Sequence, residues 1–141
     1  MSASVTRVFD LLKYNQENFS KDEFISGKIN GEWLKYSTHQ FCEVTDDLSR
    51  GLTTLGIAKG SRVAIMSTNR PEWNIGDYAI MQLGAYQIPL YPTLAEHDVK
   101  FIIEDAEINV VFVGDAQLFE KVKKVVADIK HEVKIYSFNK I

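Results

Sequence analysis

The chain has 141 residues, which fits one domain and leaves little room for two. Its 16 basic and 19 acidic residues give a net charge of -3, which excludes the basic surplus of a nucleic-acid footprint. Its one cysteine, Cys42, excludes an intrachain disulfide and fits a cytoplasmic setting.

The opening Met1-Ser2-Ala3-Ser4 has no basic region leading into an apolar core, so no signal peptide is expected. No apolar run approaches the length of a membrane span. Val5, Val8, Phe9 and Leu12 recur at helical spacing and predict a short amphipathic helix. Phe24 to Ile29 and Glu32 to Tyr36 flank Asn30-Gly31, which reads as a tight hairpin. Ser37 and Gln40 form a capping box, with Tyr36 able to staple onto Phe41. Phe41, Val44, Leu48, Leu52 and Leu55 then predict a helix that stops at a left-handed Gly56. Gly51 inside it suggests close packing against a neighbour.

From Ser61 the chain alternates. Strands are expected at Val63 to Ser67, Tyr86 to Tyr91, Val110 to Val113 and Val133 to Phe138. Helices are expected at Pro71 to Leu83, Ala95 to Ala106 and Ala116 to Ile129. Thr93 and Glu96 read as a second capping box, and Asp115 as the cap of the last helix. This rhythm predicts an α/β fold. Its four-stranded parallel sheet takes the order 2-1-3-4, has helices on both faces and carries an N-terminal β-hairpin. Residues 1–60 supply helix, hairpin and helix, and residues 61–141 the βα repeats.

Chemistry is sparse. There is no G-x-G-x-x-G and no Walker loop, and no proline is followed by lysine. His39 and Cys42 lie one helical turn apart, but a zinc site needs about four ligands. A packed thiol beside a surface imidazole is the better reading, and no metal site is expected. Asp46-Asp47 and Glu104-Asp105 are adjacent on helices and point apart, so they read as solvated faces. The lysines at 121, 123, 124, 130 and 134 interleave with acids and read the same way, with a weak anion or membrane-surface contact as the lesser alternative. A receiver domain needs acids at the end of its first parallel strand, where this chain has Ser67-Thr68-Asn69.

The junction Ser67-Thr68-Asn69-Arg70-Pro71-Glu72-Trp73 ends a strand and opens a helix. Asn69 or Arg70 caps that helix, Pro71 fills its first turn, and Trp73 is expected to be a large packing anchor against the sheet. In a parallel sheet such a junction is also where ligands gather.

Read together, several segments resemble the beginning of AMP-forming acyl-CoA synthetases, in particular the long-chain fatty-acid CoA ligases. They are Gly60-Ser61-Arg62-Val63-Ala64-Ile65, Asn69-Arg70-Pro71-Glu72-Trp73, Gly84-Ala85 and Ile88-Pro89-Leu90-Tyr91-Pro92-Thr93-Leu94. The resemblance runs from Tyr36-Ser37-Thr38 through Val110-Val111-Phe112-Val113. It implies a parent enzyme that joins a fatty acid to ATP, with magnesium, and then transfers the acyl group from AMP to CoA. The Pro-Lys-Gly loop, the acidic magnesium and ribose ligands and the catalytic lysine of such enzymes have no counterpart in this sequence. The chain is therefore expected to be the N-terminal portion of the large domain of a longer ligase, inactive alone and with no catalytic residue of its own.

Tyr91, Pro92 and Thr93 correspond to a segment near the CoA channel in similar enzymes, some of which carry a basic residue at the position of Thr93. The turn also follows a central strand and opens a helix whose free N–H groups suit a phosphate. Asn69 and Arg70 are candidates for the rim of a substrate passage. Fatty acid, ATP and CoA are the implied partners. Self-association through uncovered apolar surface is expected of the fragment. Peripheral membrane contact of the parent is left open. Two other readings stay open: a non-enzymatic α/β interaction module, and a ligase of the same superfamily acting on another carboxylate.

Overall fold

The structure, a computed structural model, describes residues 5–29 and 31–140. Its contacts divide it into two units, Met1–Ile57 with Asn69–Leu83, and Ala58–Thr68 with Gly84–Ile141.

The first unit holds α1 (Asp10–Asn18), β1 (Ile25–Ile29), β2 (Glu32–Tyr36), α2 (Thr38–Thr54) and α3 (Pro71–Gln82). β1 and β2 pair antiparallel, from Ile25 opposite Tyr36 to Ile29 opposite Glu32. Gly31 takes a φ of 88° at the turn, as a tight hairpin requires, and the expected partner Asn30 lies outside the described residues. The α2 capping box forms as expected. Ser37 Oγ accepts from the Gln40 N–H at 3.1 Å, and the Gln40 amide oxygen accepts from the Ser37 N–H at 2.9 Å. Gly56 ends the helix with a φ of 84°.

Two expectations for α2 fail. Val44 is exposed, and the buried face runs through Thr38, Phe41, Cys42, Thr45, Ser49 and Leu52. Thr45 and Thr38 sit inside because the helix backbone and an adjoining loop hydrogen-bond to their hydroxyls. Thr45 Oγ1 donates to the Phe41 carbonyl at 2.7 Å, and Thr38 Oγ1 accepts from the Lys21 N–H at 2.9 Å. Gly51 is exposed, and a Cβ there would meet nothing within 4 Å, so it marks no close approach.

The first helix also begins later than its periodicity suggests. Val5 and Val8 are exposed and precede it. Asp10 sets the start, because its carboxylate accepts from the Thr6 and Arg7 N–H groups. Leu12, Phe41, Cys42 and Ile75 form one core cluster in this unit, with Phe24, Ile25, Tyr36, Leu48 and Tyr78 packed around them. Phe41 meets Phe24 edge-on at 5.4 Å and Tyr78 at 6.0 Å, the geometry the ring quadrupoles favour.

The second unit holds β3 (Arg62–Met66), β4 (Tyr86–Leu90), α4 (Glu96–Asp105), β5 (Val110–Val113), α5 (Ala116–Val126) and β6 (Lys134–Ser137). The four strands form a parallel sheet in the order β4-β3-β5-β6. Numbered along the chain, that is the expected 2-1-3-4. Ala64, Met66, Leu90, Val111 and Val113 share one core cluster with Val99 and Ile103 of α4 and with Leu118, Val122 and Val125 of α5. Each fully buried side chain of this kind contributes about 1.5–3 kcal/mol. Val63 and Ile65, pointing to the other side of β3, are buried too.

Asp115 Oδ1 caps α5 by accepting from the Leu118 N–H at 2.8 Å. The helix stops at Val126, before the expected Ile129, yet Ile129 still packs on the core from the following turn. Because all four strands run the same way, the segments after Met66, Leu90, Val113 and Ser137 emerge at one edge of the sheet.

Candidate functional site

The turn after β4 lies at that edge. The Leu94 N–H donates to the Tyr91 carbonyl at 3.1 Å, closing a β-turn with Pro92 at its second position, where a fixed φ is favourable. Tyr91 is 73% exposed and Thr93 is exposed as well. Thr93 is not the cap of α4. The N-cap is Ala95, which offers no side-chain hydrogen bond. The Asp98 and Val99 N–H groups donate to the Ala95 carbonyl instead, so the helix starts two residues later than the Thr93–Glu96 pattern implies.

Lys121 is what holds the turn. From α5 its Nζ donates to the Pro92 carbonyl at 2.9 Å and also to the Leu94 carbonyl. Lys124 reaches Glu96 at 2.8 Å. The sequence reading placed Lys121 on a solvated face, but it is half-buried. Its spacing three after Leu118 and four before Val125 was the available signal, since that puts it on the flank of the buried stripe. The first turn of α4 carries Glu96 and Asp98. These carboxylates already face the positive helix end and disfavour a phosphate there. The exposed Tyr91 ring and the turn backbone are the groups left to offer a ligand.

After β5, Gly114 comes against the residue that follows β3. Its N–H donates to the Met66 carbonyl at 2.9 Å. A Cβ at position 114 would fall 2.5 Å from Ser67 Oγ and 3.0 Å from Ser67 Cβ, so only glycine fits. Phe112 stacks on Phe138 at 5.8 Å and lies 5.6 Å from Tyr136.

In the first unit, Asn69, Arg70, Trp73 and Asn74 line an open pocket of about 300 Å³. Arg70 is the N-cap of α3 by position, with extended backbone and no capping side-chain bond, and Pro71 takes the first helical position. The Arg70 guanidinium instead grips Glu72, Nε to Oε2 at 2.8 Å and Nη2 to Oε1 at 3.0 Å. Burial pushes the Glu72 carboxyl up, but the Arg70 hydrogen bonds and charge, with a backbone N–H, outweigh it and the net shift is down. This pairing leaves the pocket near neutral. Trp73 is half-buried and forms part of the pocket wall.

A larger cavity of about 480 Å³ is lined by Leu12, Lys13, Gln16, Cys42, Asp46 and Gln82, among others. Burial, then the Asp46 charge, push the Cys42 thiol up, which makes it a poor nucleophile. Its Sγ lies 3.7 Å from the Leu12 carbonyl as a packed donor. Among the described residues no three of His, Cys, Asp and Glu stand together to hold a metal. No described helix is long and apolar enough to cross a membrane.

The AMP-binding enzyme family matches residues 12–140. The chain belongs to that family. Among its relatives is Long chain acyl-CoA synthetase 3 of Arabidopsis thaliana, 29% identical over 127 residues, covering 90% of this chain and 19% of that protein. Long chain acyl-CoA synthetase 6, peroxisomal, of the same plant is 43% identical over 81 residues, covering 57% of this chain and 11% of that one. A solved Mycobacterium tuberculosis fatty acyl CoA synthetase superposes with a TM-score of 0.78 at 25% identity, over 92% of this chain and 26% of that chain. This member of the AMP-binding enzyme family therefore spans about a fifth or less of the length of the curated relatives named here.

Proposed function

We propose that this chain is the N-terminal portion of the large domain of an AMP-forming ligase. That enzyme activates a long-chain fatty acid with ATP and passes the acyl group to CoA. The observation that carries the reading is the family match over residues 12–140, together with relatives named as long-chain acyl-CoA synthetases. ATP and magnesium are held elsewhere in the longer enzyme, and CoA and the acyl chain are the other partners. The reading puts the enzyme in the cytoplasm, with peripheral membrane contact for fatty-acid supply.

Within it, the chain contributes scaffold and channel wall. The Tyr91-Pro92-Thr93 turn is the part of this chain that faces CoA, touching it through the exposed ring and the backbone rather than through charge. Asn69 and Arg70 stand at the rim of a substrate passage, where the Arg70–Glu72 pairing keeps the wall near neutral. Hydroxylamine trapping in the full-length enzyme tests the reaction class. Fatty hydroxamate should accumulate with ATP and long-chain acids. Its absence across a panel of acids would remove the ligase reading and leave a binding module.

A further inference from the structure

We propose that Lys121 is the positioning residue of the Tyr91–Leu94 turn, holding it in the shape that presents Tyr91 and Thr93 to CoA. The inference rests on the reading of this turn as CoA-facing.

The turn has few means of its own to stay in place. One backbone bond, Leu94 to Tyr91, closes it. The helix behind it starts at Glu96 from Ala95, which has no capping side chain. The Thr93 side chain is exposed and outside the cap. The carbonyls of Pro92 and Leu94 lie before the helix and accept no bond from its ladder. Both are taken by the Lys121 ammonium, which comes from 27 and 29 residues further along the chain.

One cation on two carbonyls fixes the Pro92–Thr93 and Leu94–Ala95 peptide units. Charge-assisted bonds of this kind are about twice as strong as neutral ones, and half-burial reduces the screening of the charge. The neighbouring Lys124–Glu96 pair ties the first residue of α4 to the same helix. The outward groups of the turn, the Tyr91 ring and the Thr93 hydroxyl, are thereby left clear of the holding contacts. A capping threonine would have drawn its hydroxyl inward onto the helix.

The test combines two measurements on the full-length enzyme with Lys121→Met and Lys121→Arg. Amide hydrogen exchange at residues 93–96 reports the turn itself. Losing bonds to a charged donor should raise exchange there about tenfold or more in Lys121→Met, while Lys121→Arg, which keeps charge and donors, should stay close to wild type. The KM for CoA should rise in Lys121→Met, with kcat and the KM for ATP unmoved. Unchanged exchange in Lys121→Met would overturn the inference outright. Raised exchange with an unmoved KM for CoA would overturn the functional role of Lys121. In that event Thr93→Asp separates the causes. If Thr93→Asp does raise the KM for CoA, the turn faces CoA and only Lys121 has been misassigned. If it does not, the CoA reading of the turn has failed with it.

Discussion

Pro71 packs directly against Gly27. A Cβ built at position 27 would fall 2.5 Å from Pro71 Cδ and 3.2 Å from Cγ. The first turn of α3 can therefore sit on β1 only because position 27 has no side chain. Proline at that place costs the helix nothing, since its missing N–H would have had no helical partner.

Gly27→Ala should accordingly destabilise the protein by about 1–3 kcal/mol, the usual range for overpacking. Adding Pro71→Ala should recover part of the loss, because the clash is with the pyrrolidine ring. Urea melts of the two single variants and the double variant measure this coupling. Strict additivity would mean that the two residues do not touch.

The Arg70–Glu72 pair should make stability depend on pH in the acid range. The folded-state pKa of Glu72 is depressed below its ordinary value of 4.5. Its contribution is therefore fully present above that value and lost as pH falls through the lower folded pKa. Glu72→Gln should flatten this part of the pH–stability curve. It also removes a carboxylate from a guanidinium whose side chain is 10% exposed, so stability at neutral pH should fall as well. An unchanged acid limb in the variant would show that the pair does not act this way.

Trp73→Ala should cost about 1–2 kcal/mol, less than the roughly 3–5 kcal/mol of a fully buried ring, because Trp73 is half-buried at a pocket wall. Chemical denaturation gives the figure. A loss in the fully buried range would contradict the open pocket.

The 141-residue chain alone should show no ATP–pyrophosphate exchange with fatty acids, since it spans about a fifth or less of the length of the relatives named above. It should also self-associate. Val8, Phe19, Trp33, Tyr86 and Phe101 are each more than half exposed, and they are the side chains through which copies would associate. Light scattering across a concentration series tests this, and a strict monomer at high concentration would count against it.

The parallel sheet was legible because its strands are short β-branched runs, such as Val110 to Val113, set between helices with clean apolar stripes. Local chemistry was legible where both partners are close in sequence, as at Ser37–Gln40 and Asp115–Leu118. The same local logic misled at Thr93–Glu96. There a distant lysine holds the turn and the helix starts from Ala95. It misled at Val44 as well, since Thr38 and Thr45 could enter the core by bonding to nearby backbone. Gly27 against Pro71, Gly114 against Ser67 and Lys121 on the 91–94 turn each join residues more than 25 positions apart, and no periodicity announces such pairs. Of the candidate site, the turn and the rim were singled out by their place after a strand and by the resemblance, before any contact could be seen. What holds each of them, Lys121 for the turn and Glu72 for Arg70, was visible only in three dimensions.

The central claim is tested most directly by product stoichiometry in the full-length enzyme given palmitate, ATP, magnesium and CoA. AMP, pyrophosphate and palmitoyl-CoA should appear in equal amounts over many turnovers, and palmitoyl-CoA should require all the substrates. ADP in place of AMP, or AMP without any thioester, would contradict the assignment.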